Sequence, residues 1–154
     1  MTRDELIKTR KWLKRYRHLK QELAARTKNY DEFVQEIYNP LCSPKLDGMP
    51  RASTTTDQTA ATVEQIHREY GEILKLLERK MEALRDAIKE IEDTIGQLDA
   101  DERCVLYHRY ILGIYWANLP AYINYDERQC RRIEKRALKK VWEKHVQQCP
   151  TWIW

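Results

Sequence analysis

Between Asp126 and Val141 the chain carries seven cations in sixteen residues: Arg128, Arg131, Arg132, Lys135, Arg136, Lys139 and Lys140. Cys130, Ile133, Ala137, Leu138 and Val141 are interleaved with them at spacings of three, four, one and three, so an α-helix here gathers them onto one face. That pattern predicts a helix pinned by an apolar side and offering guanidinium and ammonium donors to a polyanion. The expected polyanion is DNA. Arginine can bond bidentately to guanine O6/N7 and glutamine to adenine N6/N7, whereas lysine and arginine on phosphates fix register without reading bases.

Other chemistries find little support. The chain has no G-x-G-x-x-G, P-loop, H-E-x-x-H or G-x-S-x-G sequence. His18, His67, His108 and His145 stand singly, and Cys42, Cys104, Cys130 and Cys149 form no C-x-x-C pair and have no histidine at ligand spacing. Free, mostly buried thiols in a reducing cytoplasm are expected, with no metal, no cofactor and no catalytic residue. The acid pairs Glu92/Asp93 and Asp101/Glu102 read as solvated helix faces. Tyr107, Tyr110, Tyr115, Trp116, Tyr122 and Tyr125 cluster near the basic run, and packing of a small helical domain explains them more simply than stacking on unpaired bases.

The elements that must position this run are helical. Charged residues make up 34% of the 154 and there are only 4 glycines, which favours helices over a sheet. Charge is uneven: residues 1–28 hold 10 Lys/Arg against 3 Asp/Glu and residues 126–145 hold 8 against 4, leaving a net −7 for the remainder. Basic ends around an acidic centre suggest polyanion contact, although a solvated helix face is the plainer account of residues 1–28. No apolar run approaches the roughly 20 residues that span a bilayer, and the first residues show no apolar stretch of a secretory signal.

Five segments are expected: an N-terminal helical segment 1–38, a Pro/Ser/Thr-rich loop 39–58, a long coiled-coil-like helix 59–98, a helix-turn-helix domain 99–145 and an aromatic tail 146–154. Thr2 with Glu5 forms a capping box, and Leu6, Leu13, Tyr16, Leu19 and Leu23 make a loose stripe that Tyr30, Phe33, Val34 and Ile37 resume beyond 27–29, either on one long bent helix or on two in succession. Pro40, Pro44 and Pro50 mark the loop. In the second helix, started by Asp57 or Thr59, residues Leu74, Leu77, Met81, Leu84, Ile88, Ile91, Ile95 and Leu98 alternate spacings of three and four without error. Val63, Ile66 and Tyr70 lead into them across a stutter near Gly71. So narrow a stripe needs a partner helix. Either the first helix folds back as an antiparallel hairpin, or a second copy supplies the seam, a homodimer through residues 63–98 being the preferred form.

Asp99 or Asp101 can cap the next helix, which carries Val105, Leu106, Tyr110 and Ile111 and ends at Gly113. A short helix around Trp116–Ile123 follows, then a turn at Asn124-Tyr125, where asparagine tolerates the left-handed conformation. Asp126 with Gln129 opens the basic helix as a second capping box. Two helices joined by a tight turn, the second basic and amphipathic, make a helix-turn-helix.

RYILGIYWANLPAYINYDERQCRRIEKRALKKV resembles region 4 of the sigma-70 family in its R-x-I-E-x-x-A-L pattern, over roughly residues 99–142. Together with the SPKLDGMPR segment, it is similar in layout to the RinA/ArpU-type regulators of phages and prophages. That resemblance implies an all-α fold and a DNA-binding regulator of late phage genes acting with host RNA polymerase in the bacterial cytoplasm and nucleoid. It places Asp126 at the helix cap, Glu127, Arg128, Gln129, Arg131 and Arg132 at base edges and nearby phosphates, and Lys135, Arg136 and Lys139 along the backbone. Leu119-Pro120 departs from the Ile-Ala pair usual in the first helix of the motif. The conflict with a proline in a helix resolves if Asn118 caps that helix and Pro120 falls in its first turn. Two other readings compete: a polymerase-binding interaction factor with little DNA reading of its own, and a small terminase-like packaging adaptor.

Overall fold

The computed structural model describes residues 2–42 and 58–146, and these are mostly helical with no strand among them. Helix α1 runs Arg3–Cys42 and α2 Gln58–Gly96. Helix α3, Ala100–Leu106, passes into a π-helical turn at Tyr107–Ile111; a 3₁₀ turn, Trp116–Ala121, precedes α4 at Glu127–Val141; and a second π turn covers Trp142–Val146. Of the two readings of the N-terminal segment, one long helix is the one present: α1 passes residues 27–29 unbroken. The helix also continues through Pro40 to Cys42, past the boundary set at 39, because a proline near a helix end removes one donor from a ladder already built upstream. Most of the loop, the Asp57 cap and the aromatic tail beyond Val146 lie outside the described residues.

Contacts divide the chain into two compact units: one takes the described residues up to Glu22 and from Leu84 onward, the other Leu23–Ala83. Chain order alone does not give this division. In the second unit α1 and α2 run antiparallel: Thr27 Oγ1 donates to Met81 Sδ at 3.8 Å, Tyr30 OH donates to Glu78 Oε1 at 2.6 Å, and Phe33 meets Tyr70 edge-on at 6.0 Å. Ile66, Leu74 and Met81 are buried and α2 passes Gly71 unbroken. In the first unit Tyr16 OH donates to Glu92 Oε1 at 2.6 Å, and Trp12, Leu13, Ile88, Ile91, Ile95 and Leu98 are buried. Of the two ways to cover the heptad seam, fold-back of α1 is the one present within each unit.

Local signals set the ends of these helices. Thr2 N donates to Glu5 Oε2 at 2.6 Å and Glu5 N to Thr2 Oγ1 at 3.3 Å, the reciprocal box that the sequence predicts. Gly113 has φ +75°, the left-handed conformation that glycine adopts without steric cost. It ends the π turn, in which Leu112 N reaches back five residues to Tyr107 O at 3.0 Å.

Candidate nucleic-acid interface

The inner side of α4 is set as its apolar spacing predicts: Cys130, Ile133, Ala137, Leu138 and Val141 are all buried. Val105, Leu119, Ile123, Cys130 and Ile133 form one core cluster, with Cys104, Ile114, Trp116 and Tyr125 packed against it. Burial raises the Cys130 thiol pKa, which leaves this cysteine a core residue rather than a nucleophile. Asp126 caps the helix as expected, its Oδ1 accepting from the Gln129 amide at 2.6 Å.

The approach to α4 corrects two expectations. Asn118 does not cap the preceding helix. Tyr115 takes that place, and Asn118 lies inside a 3₁₀ turn, its amide donating to Tyr115 O at 3.0 Å. Pro120 is then the fifth of the six residues of the 3₁₀ segment, where its missing donor is lost near the end of the segment rather than from a helix interior. Asn124 is not left-handed either, since no described residue other than glycine has positive φ. The chain reverses instead through a tight bend in which Tyr125 N donates to Ile123 O at 2.7 Å.

The outer side of α4 carries the candidate contacts. At 3.6 residues per turn, residues 128, 132, 135 and 139 fall within about 60° of one another, opposite the buried face. Arg128, Arg132, Lys135, Arg136 and Lys139 are all exposed. Lys139 pairs loosely with Glu143 at 3.8 Å, while Arg128, Arg132, Lys135 and Arg136 form no ion pair among the described residues. Gln129 and Arg136 border the arc on one flank, Glu127 and Arg131 on the other. Arg131 is already engaged: its Nε and Nη2 donate to Glu127 Oε1 at 2.9 and 2.6 Å, and its guanidinium carbon lies 5.1 Å from the Trp116 ring centroid. Arg109 lies at the same distance from that ring and donates to Ile114 O at 2.8 Å. Trp116 thus holds cations from two helical elements.

Two buried acids were not foreseen. Glu134 is 1% exposed, on the apolar face of α4. Arg10 donates to it through Nε at 3.2 Å and Nη2 at 2.6 Å, and Tyr110 OH donates to its Oε1 at 2.6 Å. The carboxylate raises the Arg10 pKa, and burial together with that charge raises the Tyr110 pKa. One carboxylate therefore ties α1, the π turn and α4 together. Glu102, expected on a solvated face, is buried and accepts from Lys140 Nζ at 2.9 Å, while Asp99 binds the same ammonium. That hydrogen bond lowers the Asp99 pKa; Asp99 stands at the α3 cap position without a side-chain cap bond. The sequence held a signal for Glu134, which falls four residues after Cys130 and four before Leu138, on the apolar stripe.

The clustered aromatics divide. Tyr110 is buried and Trp116 and Tyr125 pack against the cluster of Val105, Leu119, Ile123, Cys130 and Ile133, whereas Tyr107, Tyr115 and Tyr122 stand exposed on the rim. Among the described residues, no group of three His, Cys, Asp or Glu is placed to hold a metal ion, and no helix is long and apolar enough to cross a membrane. Comparison with family models, curated proteins and solved structures gives no match to this chain.

Proposed function

We propose that this chain is a sequence-specific DNA-binding transcription regulator that enters the major groove with α4. The observation that carries the reading is the combination on one helix of a fully buried inner face and an exposed arc whose Arg128, Arg132 and Lys135, with Arg136 on its flank, form no ion pair among the described residues. A helix fixed on one side and cationic on the other can present base-reading and phosphate-binding donors at little ordering cost. On the sigma-like resemblance, its targets are late genes of a phage or prophage and its partner at the promoter is host RNA polymerase. Pairing of two copies through α2 would use its outer side, where Ile73 and Leu76 are exposed, because the heptad seam is covered by α1.

The test is selection of a bound site from a random duplex pool, then titration of Arg131→Ala and Arg132→Ala. Arg132→Ala should weaken the selected site by roughly 1–3 kcal/mol, the value of a bidentate base contact. Arg131→Ala should cost less, since Glu127 and Trp116 already hold that guanidinium. Unchanged affinity in both variants would refute the placement of the reading face. A second reading, a polymerase-binding factor, draws on a groove of about 620 Å³ bordered by Arg17, Lys20, Arg103 and the exposed Tyr107 and Leu112. Tight binding to polymerase without DNA, and no selected site, would favour it.

A further inference from the structure

A second cleft, of about 370 Å³, opens beside the 3₁₀ turn. Lys14, Arg17 and His18 enter it from one face of α1, Arg109 comes from the π turn, and Tyr115 borders it with 75% of its surface exposed. No acidic side chain lines it. The Arg17 guanidinium lies over Gly113, where an added Cβ would stand 2.5 Å from Nη1, so the absence of a side chain at Gly113 lets the cation settle there. Arg109 is held by the Ile114 carbonyl and by Trp116, and the same indole carries Arg131 from α4. The cleft is therefore joined to the flank of α4 through a shared ring, and neither guanidinium is further from the other than twice the 5.1 Å that separates each from it.

We propose that this cleft binds the phosphate backbone of the DNA duplex beside the groove that α4 enters, so that the basic N-terminal helix is part of the DNA footprint. The proposal rests on the DNA-binding reading of α4. The chemistry fits a polyphosphate strand: several cations of different reach, no competing carboxylate, and an exposed tyrosine hydroxyl able to donate to a phosphate oxygen. Such contacts add affinity without sequence preference and steepen its dependence on salt.

The experiment measures binding of the full chain to a mixed-sequence duplex by fluorescence anisotropy across a salt series, alongside the selected site and a scrambled version of it. Lys14→Gln/Arg17→Gln should make the slope of log K against log salt shallower by about 1–2, near 0.9 for each phosphate that is no longer neutralised. Preference for the selected over the scrambled duplex should stay as in the wild type. Lys14→Glu, at an exposed position and with helical content checked by circular dichroism, should weaken both duplexes by the same factor. A slope and affinity unaltered in both variants, with the wild type still binding DNA, overturns the cleft alone. A wild-type chain with no salt-dependent duplex binding removes the reading of α4 and the cleft together.

Discussion

Arg10→Ala is the sharpest test of how α4 is held. Glu134 retains 2% side-chain exposure and Arg10 39%, and the guanidinium meets the carboxylate through both Nε and Nη2. Removing one partner of a fully buried pair costs about 3–5 kcal/mol, because the remaining charge is left desolvated. The partial exposure of Arg10 lowers that to about 2–3 kcal/mol, since water can enter where the guanidinium was. For a chain of this size each kcal/mol moves the melting temperature by roughly 2–4 °C, so a fall of about 4–12 °C is expected. Glu134→Gln keeps an acceptor for Tyr110 and should cost less, about 1–2 kcal/mol. Arg10→Met/Tyr110→Phe/Glu134→Leu, which replaces every polar member by an apolar one, should come within about 1 kcal/mol of the wild type. Urea unfolding followed by far-ultraviolet circular dichroism reads all three. If Arg10→Ala stays within about 0.5 kcal/mol of the wild type, or the triple variant is the least stable of the set, the account of Glu134 as a carboxylate dependent on its counter-cation is wrong.

Gly113→Ala forces a Cβ into a φ of +75° and against Arg17, and should lower stability by at least about 1–2 kcal/mol in the same assay. Gly71→Ala meets only His67 Nδ1, at 3.9 Å, and should raise stability by up to about 1 kcal/mol; a loss there would reveal a tighter helix contact than the structure has. Asp126→Ala removes the acceptor for the Gln129 amide and should cost about 1 kcal/mol, with Asp126→Asn retaining most of it. Tyr16, pushed up to about 12 chiefly by burial and then by its bond to Glu92, stabilises the fold fully below its ordinary value near 10. That contribution is lost as pH rises from 10 towards 12, because the folded state holds the proton more tightly than the unfolded one. Tyr16→Phe should flatten the Tyr16 part of the decline in a pH series of urea melts.

What the sequence foretold is what near neighbours decide. The α4 core residues follow from spacing alone, the Thr2–Glu5 and Asp126–Gln129 caps from pairs three residues apart, and the Leu74–Leu98 stripe, buried except at the half-buried Leu77 and Leu84, from an unbroken alternation of threes and fours. The misjudged positions depend on distant partners. Glu102 looked solvated because Lys140, 38 residues on, cannot be paired with it by local pattern. Turn chemistry points to Asn118 as a cap and Asn124 as left-handed, but the 3₁₀ turn at Leu119-Pro120 and the bend at Tyr125 satisfy the backbone without either side-chain device. The outer arc of α4 was only half legible. Its cations could be counted, whereas the engagement of Arg131 by Glu127 and Trp116 needed the fold of the preceding turn.

The bond between Arg10 and Glu134 spans 124 residues of chain, and this bears on how the protein is made. At roughly 5–20 residues per second, a ribosome takes about 6–25 s to advance from one partner to the other. Throughout that interval the first basic turns of α1 exist without the carboxylate that later fixes them, open to any anionic surface nearby, ribosomal RNA included. The C-terminal module in turn becomes complete only when the oldest part of the chain returns to it. Long-range closure of this kind slows folding, and it makes the anchored form of α4 depend on the return of α1 rather than on residues 99–146 alone.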